Sequence, residues 1–214
     1  MSDAAAYDAW YHTPRGCWIG EREFELLHRA LAPRLGETLL DVGCGTGHFT
    51  RLFAQRAGVR VVGLDPNIDW LAFARGAGTA ACVGGRAERL PFRDASFDLS
   101  IAVTSLCFVA AEREALRELV RVTRRRIAIG LLNRHSLLYW QKGRGGGSGA
   151  YRGAHWHTPV EARALFDGLP VHGVTLCTGV FLPGAGPAAR ALERVAPRGL
   201  PLGAFMLGVA DVGA

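Results

Sequence analysis

The sequence predicts an α/β protein: a largely parallel sheet with helices over both faces. Three observations carry this. Short apolar runs recur along the chain, helix-periodic segments separate most of them, and a glycine-rich bend joins the first run to a helical pattern. Seven runs read as strands: 38–42, 59–64, 79–83, 98–103, 126–131, 171–178 and 204–210.

Before the first strand, YDAWYHTPRG places Tyr7, Trp10, Tyr11 and His12 close together. So many aromatics are costly in a free tail, so the segment is expected to fold as a lid over a site. Phe24, Leu27 and Leu31 then share a helix face. LLDVGCGTGHF follows, with Gly43, Gly45 and Gly47 at alternate positions, and Phe49, Leu52 and Phe53 continue as a second apolar helix face. The next strand ends in VVGLDPN, with Asp65 at its tip. Leu116, Leu119 and Val120 form a third apolar face, before the run at 126–131. Residues 142–153, KGRGGGSGAYRG, hold one conformation only at high entropic cost and suit a lid or a surface loop. In HTPVEA, Thr158 is an N-cap, Pro159 takes the first helical position and Glu161 closes a capping box. The expected organisation is one domain over 1–214, with 1–35 as an N-terminal lid or helical extension and 133–170 as a substrate-side insertion.

Composition narrows the function. Hydrophobic residues make up 49% and charged residues 21% of the 214, enough for a sizeable core and too apolar for wholesale disorder. No apolar run is long enough to span a bilayer, and no secretory leader pattern is read, so a cytoplasmic location with no membrane partner is expected. The five cysteines are scattered, odd in number and without a C-x-x-C pair, which argues against a disulfide framework or zinc knuckle. The net charge of +6 reads as an arginine-rich solvated surface.

The glycine bend asks for a ligand. Glycine permits positive φ and lets a ligand approach where a Cβ would block it. Placed after a strand, it sets that ligand at the carboxyl edge of the sheet, by a helix N-terminus. An acid ending the next strand, Asp65, can accept hydrogen bonds from both hydroxyls of a ribose. Together they indicate an adenosine-containing cofactor. A dinucleotide fingerprint needs its third glycine at position 48, where this chain has His48. Asp41, just upstream, is awkward beside a diphosphate but useful near an ammonium group. That favours S-adenosylmethionine, which carries an amino group and a sulfonium.

LLDVGCGTGHFT, VVGLDPN, GGRAERLPFRDASFDLSIA and ALRELVRVTRRRIAIG, in this order, resemble the motifs of the class I S-adenosylmethionine-dependent methyltransferases of type 11, strongly over 37–131 and loosely beyond. The resemblance implies a Rossmann-like three-layer αβα sandwich, with a mostly parallel seven-stranded sheet and an antiparallel last strand. It implies that S-adenosyl-L-methionine is the cofactor and S-adenosyl-L-homocysteine the product. Asp41 and the Gly43 carbonyl would orient the methionine amino group. Gly45 would permit close approach, and Gly47 would pack helix on strand. Asp65 would hold the ribose, Pro66 would flank the adenine, and the Ala87 N–H would meet the ring, with Glu88 beside it. The family usually has an aspartate where this chain has Arg86, a side chain without an acceptor. The family's Pro-Gly turn before the fifth strand is also missing from VTRRRIAIG.

The acceptor would meet the cofactor over the carboxyl ends of strands four and five. Thr104 and Ser105 are expected to line that place. Cys107 is read as a small buried core residue, with a reactive thiol as the sharper alternative. Tyr11 is expected near the methionine end, and with His155 and His157 it is a candidate catalytic group. Trp10, His12 and Arg134 are further substrate-side candidates. His155-x-His157 lacks a matching cysteine or carboxylate cluster in sequence, so no metal is expected. The expected partner is a small molecule. A nucleic-acid substrate would call for a base-gripping motif such as N-P-P-[YF] after strand four, and VTSLCFV has none. A non-catalytic regulator of the same fold and, less favoured, an NAD-dependent oxidoreductase are the alternatives.

Overall fold

The computed structural model describes residues 4–79, 81–197 and 199–213. Seven strands form one sheet: β1 (Thr38–Val42), β2 (Arg60–Asp65), β3 (Cys82–Gly84), β4 (Phe97–Val103), β5 (Thr123–Leu132), β6 (Val171–Gly179) and β7 (Phe205–Val212). Their order across the sheet is β3-β2-β1-β4-β5-β7-β6. All pairings are parallel except those of β7, which runs antiparallel to both β5 and β6. The expected sheet, with its antiparallel last strand, is therefore the observed one. The central strands β1 and β4 are buried along nearly their whole length, as a strand covered on both faces must be.

The helices are α1 (Ala4–Trp10), α2 (Pro14–Leu31), α3 (His48–Arg56), α4 (Ile68–Gly76), α5 (Glu112–Val122), α6 (Pro159–Ala164) and α7 (Pro187–Val195). The chain steps outward through β1, β2 and β3, then returns to β4 and steps the other way. Right-handed crossovers then place α3 and α4 on one face and α5 on the other, giving three layers. α2 packs on α3, β5 and β7. Among the described residues, no helix is long and apolar enough to cross a membrane.

Local signals explain most boundaries. Thr158, Pro159 and Glu161 start α6 with the predicted capping box. α2 starts with a threonine cap and a proline but no capping box: Thr13 accepts the Gly16 N–H and Pro14 holds the first helical position. β5 begins at Thr123, earlier than the apolar pattern indicates, because each arginine at its start has a carboxylate partner. Arg124 pairs with Asp98 at 3.1 Å, Arg125 with Glu37 at 2.7 Å and Arg126 with Asp211 at 2.5 Å. This row of ion pairs ties down the amino edge of the sheet, where the family's Pro-Gly turn is missing. Within residues 142–153 the chain forms short turns at Arg144–Gly146 and Gly149–Tyr151.

Candidate functional site

The carboxyl edge of the sheet holds the glycine bend. After β1 the chain turns through Gly43, Gly45 and Gly47, at φ of 75°, 57° and 82°. Those values favour glycine. A Cβ on Gly43 would also overlap the Cβ of Ser105, and one on Gly47 would overlap the Thr79 hydroxyl. Gly47 then serves as N-cap of α3. The bend is pinned to β2, since the N–H groups of Gly43 and Cys44 both donate to the Leu64 carbonyl, at 2.7 and 3.0 Å.

Asp65, at the tip of β2, is fixed by the backbone. Its Oδ2 accepts the Gly45 N–H at 2.9 Å and its Oδ1 accepts the Asn67 N–H at 2.8 Å. Asn67 in turn caps α4 by accepting from Asp69 and Trp70. Burial raises the Asp65 carboxyl, and the two N–H donors oppose that rise. Asp41 lies behind the bend, 2% exposed, with one oxygen accepting the Thr50 hydroxyl at 2.6 Å. Burial raises it to about 7; the charge of Asp65 adds to this and Thr50 opposes it.

A cleft of about 440 Å³ opens in front, within the range of small-ligand pockets. It brings together Gly43, Asp65, Pro66, Ala87, Glu88 and Ser105, and Phe108 adds an apolar wall. Arg86 lies on its rim, bonded to Glu88 at 2.8 Å, so the departure from the family pattern is part of an ion pair that keeps a carboxylate at this end. Ser105 donates its hydroxyl to the Val42 carbonyl at 2.7 Å. Thr104, at the end of β4, has a φ of 56°, an uncommon conformation for a non-glycine residue.

α1 lies against the same edge. Arg51 on α3 donates to the Thr46 carbonyl at 2.6 Å and to Asp8 on α1 at 2.9 Å, coupling the bend to the N-terminal helix. Tyr7 packs on Trp70, with ring centroids 4.8 Å apart. Tyr11 is buried and stacked on His48, at 3.7 Å and 10°. Trp10 meets Tyr11 edge-on. His12, by contrast, is 76% exposed and turns back to Asp8, so it leaves the substrate-side group.

Several expected substrate-side residues also lie elsewhere. Cys107 is core: it is 2% exposed, its sulfur accepts the Leu132 N–H at 3.3 Å, and burial pushes its thiol up to about 12. This overturns the reactive alternative. Arg134 sits over the Tyr139 ring. His157 is fully buried and bonded through Nε2 to Glu112 at 2.8 Å, which removes it as a free general base. His155 is half-exposed, with Nδ1 3.5 Å from the other Glu112 oxygen. Neither histidine lines the cleft. Glu112 supplies the carboxylate that was not recognised beside His155-x-His157, and the three donor atoms lie within 4.8 Å of one another, close enough to hold a cation. The His157 backbone also pairs beside the end of β5 in a parallel bridge with Asn133, its N–H donating to the Leu132 carbonyl and its carbonyl accepting the Arg134 N–H. The Glu112 contact thus anchors that bridge.

Sequence reasoning did not single out His48, Arg51 or Trp70, which pack around the bend and α1. The Thr13-Pro14 start sets the phase of α2 and puts Gly16, Gly20 and Glu23 on one face.

Residues 40–127 match the family described as the methyltransferase domain. The chain is 38% identical over 174 residues to an uncharacterized protein of Mycobacterium tuberculosis, covering 76% of this chain and 56% of that protein. It is 35% identical over 122 residues to the malonyl-[acyl-carrier protein] O-methyltransferase of Pectobacterium atrosepticum, covering 56% of this chain and 46% of the relative. The chain thus spans about half the length of these curated relatives. Among solved structures, an S-adenosylmethionine-dependent methyltransferase of Thermotoga maritima, described as a possible histamine N-methyltransferase, superposes with a TM-score of 0.75. The match covers 97% of this chain and 94% of that one at 21% identity, a likeness of fold.

Proposed function

We propose that this chain is a class I S-adenosylmethionine-dependent methyltransferase of type 11, a reading supported by the methyltransferase-domain match over 40–127 and the shared fold, and that it methylates a small organic acceptor. The observation that carries the reading is the Asp65 carboxylate, held by two backbone N–H groups at the mouth of a cleft beside a side-chain-free bend. Two lone-pair positions on that carboxylate remain for the hydroxyls of a ribose.

The residues present suit the cofactor. Asp65 would take the ribose and Ala87 the adenine edge, between Pro66 and the Arg86–Glu88 pair. The Gly43 carbonyl and Asp41 would take the amino group, and an arriving ammonium is what a half-satisfied buried carboxylate favours. Thr104 and Ser105 would border the methyl, and α1 would close over it with Tyr11. When bound, S-adenosylmethionine supplies a sulfonium methyl, an electrophile that needs only an in-line lone pair. Orienting that lone pair and excluding water are therefore the main tasks of the chain.

The named relatives support the class of reaction and differ in the atom named, O in one and N in the other. Calorimetric titration with S-adenosylmethionine, S-adenosylhomocysteine and NAD tests the proposal. Binding of the first two and not of NAD is expected. Binding of NAD alone would overturn it, and tight binding with no turnover on a broad acceptor panel would favour a non-catalytic regulator.

A further inference from the structure

Outside the cleft, one cluster of side chains has the makeup of a metal site. Glu112, the first residue of α5, turns both carboxylate oxygens toward imidazoles: Oε2 lies 2.8 Å from His157 Nε2 and Oε1 lies 3.5 Å from His155 Nδ1. Among the described residues no lysine or arginine pairs with Glu112, whose ion-pair partners are these two histidines. Donor atoms around one zinc-sized ion stand roughly 3.3 Å apart, given bonds of about 2.0–2.1 Å to nitrogen and oxygen. The separations here bracket that value, with no two of the three donor atoms more than 4.8 Å apart, so small side-chain rotations suffice.

The backbone holds these side chains in place. Side chains alternate along 155–157: His155 and His157 share one side, with ring centroids 4.1 Å apart, and Trp156 takes the other, buried against Tyr139 and Tyr151. The His155 N–H donates to the Cys107 carbonyl at 2.7 Å, and the His157 N–H to the Leu132 carbonyl at 2.8 Å. His157 is fully buried, and its Nδ1 has no hydrogen-bond partner among the described residues. One hydrogen bond to Glu112 offsets little of the cost of burying that ring, whereas a coordinate bond at Nε2 offsets far more. On the other side of the cluster His155 is half-exposed, which leaves a way in for an ion and a position for water.

We infer that Glu112, His155 and His157 bind a divalent transition-metal ion, with zinc the best match. Two neutral imidazoles and one carboxylate make a mixed nitrogen and oxygen donor set. That set suits Zn²⁺ and its transition-metal neighbours, whereas Mg²⁺ and Ca²⁺ take oxygen ligands. The ion joins the start of α5 to the bridge between Asn133 and His157 beside the end of β5. That joint adjoins the cleft. Ser105, Phe108, Val109 and Ala110 line the cleft, Cys107 within this stretch accepts the His155 N–H, and Glu112 follows two residues after Ala110. Metal binding thereby fastens the wall where the acceptor is expected.

The test uses the full chain, stripped with a chelator and dialysed, with ZnCl₂ and CoCl₂ as probes. Calorimetry is expected to show one equivalent of Zn²⁺ per chain at the tightest site. Its affinity should fall tenfold or more in His155→Ala and in Glu112→Gln, and stay unchanged in His12→Ala, which removes an exposed histidine beside Asp8. Bound Co²⁺ is expected to give visible d–d bands without the near-ultraviolet charge-transfer band of a thiolate ligand. Saturating Zn²⁺ should raise the melting temperature of wild type and not that of His155→Ala. Because His155 is half-exposed, the metal-free variant is expected to melt as metal-free wild type does, and that measurement separates a lost ligand from a lost fold. No binding near one equivalent, a thiolate band, or affinity unchanged in both His155→Ala and Glu112→Gln would each overturn the inference. Loss of the tight site in His12→Ala would place the ion at the surface and overturn it as well. Titration of the metal-free chain with S-adenosylhomocysteine reports separately on the methyltransferase reading, on which the metal site does not rest.

Discussion

Asp65 and Glu23 are both carboxylates held partly or wholly out of solvent, and the fold treats them in opposite ways. Asp65 receives two backbone N–H groups, so its position is fixed before any ligand arrives. Among the described residues Glu23 receives none, and it stands on the α2 face that carries Gly16 and Gly20. The glycine bend and Asp65 are thus fixed by backbone hydrogen bonds, whereas Glu23 is placed by its helix face alone. One fold can keep its methyl donor while its acceptor changes, because replacing side chains on α1, α2 and the turns after β5 leaves the glycine bend intact.

The strongest test of this contrast is Asp65→Ala. It removes a ligand for two hydroxyls, each charge-assisted bond contributing about 1.5–3 kcal/mol, and it frees the Gly45 and Asn67 N–H groups. Affinity for S-adenosylhomocysteine, read by calorimetry, is expected to fall by roughly 100-fold or more. A change within threefold would mean that the backbone-held carboxylate is not the ribose ligand.

Next comes Gly43→Ala. It combines a left-handed φ with overlap on Ser105, and should destabilise the fold by roughly 2–4 kcal/mol in urea titration. In a Ser105→Gly background the overlap is relieved and only the strain of φ remains, about 1–2 kcal/mol. Equal losses in both backgrounds would show that the close approach to Ser105 is not what demands glycine.

The smallest expected effect belongs to Asp41, which lies between the two extremes with one oxygen engaged. Raised to about 7, its carboxyl is mostly neutral below that pH and ionised above it. A cofactor ammonium binds the ionised form. Affinity for S-adenosylhomocysteine should therefore rise several-fold from pH 6 to pH 8, with proton release on binding at the lower pH. In Asp41→Asn the profile should flatten. A profile unchanged by the substitution would assign the titration to another group.

The cofactor side was legible because its chemistry is local. Asp65 ends a strand, Gly43 and Gly45 follow the neighbouring one, and parallel pairing of β1 with β2 must bring them together. The strand pattern was legible for the same reason, apart from the start of β5, where charge pairing extended the strand beyond its apolar run. The acceptor side was read poorly. His12 was a reasonable candidate by residue type but faces solvent, while Cys107 is the core residue its type favours. Glu112 lies far in sequence from His155 and His157, so no spacing rule could join them.

By itself the sequence determined the sheet, the bend and the carboxylate at the tip of β2, because period, glycine placement and strand ends act over short stretches of chain. Only the tertiary structure decided which side chains gather between α1, α2 and the glycine bend. Docking α1 through Asp8 and Arg51 and stacking Tyr11 on His48 depend on contacts between distant segments. Such contacts follow from packing of the whole chain, which no local pattern records.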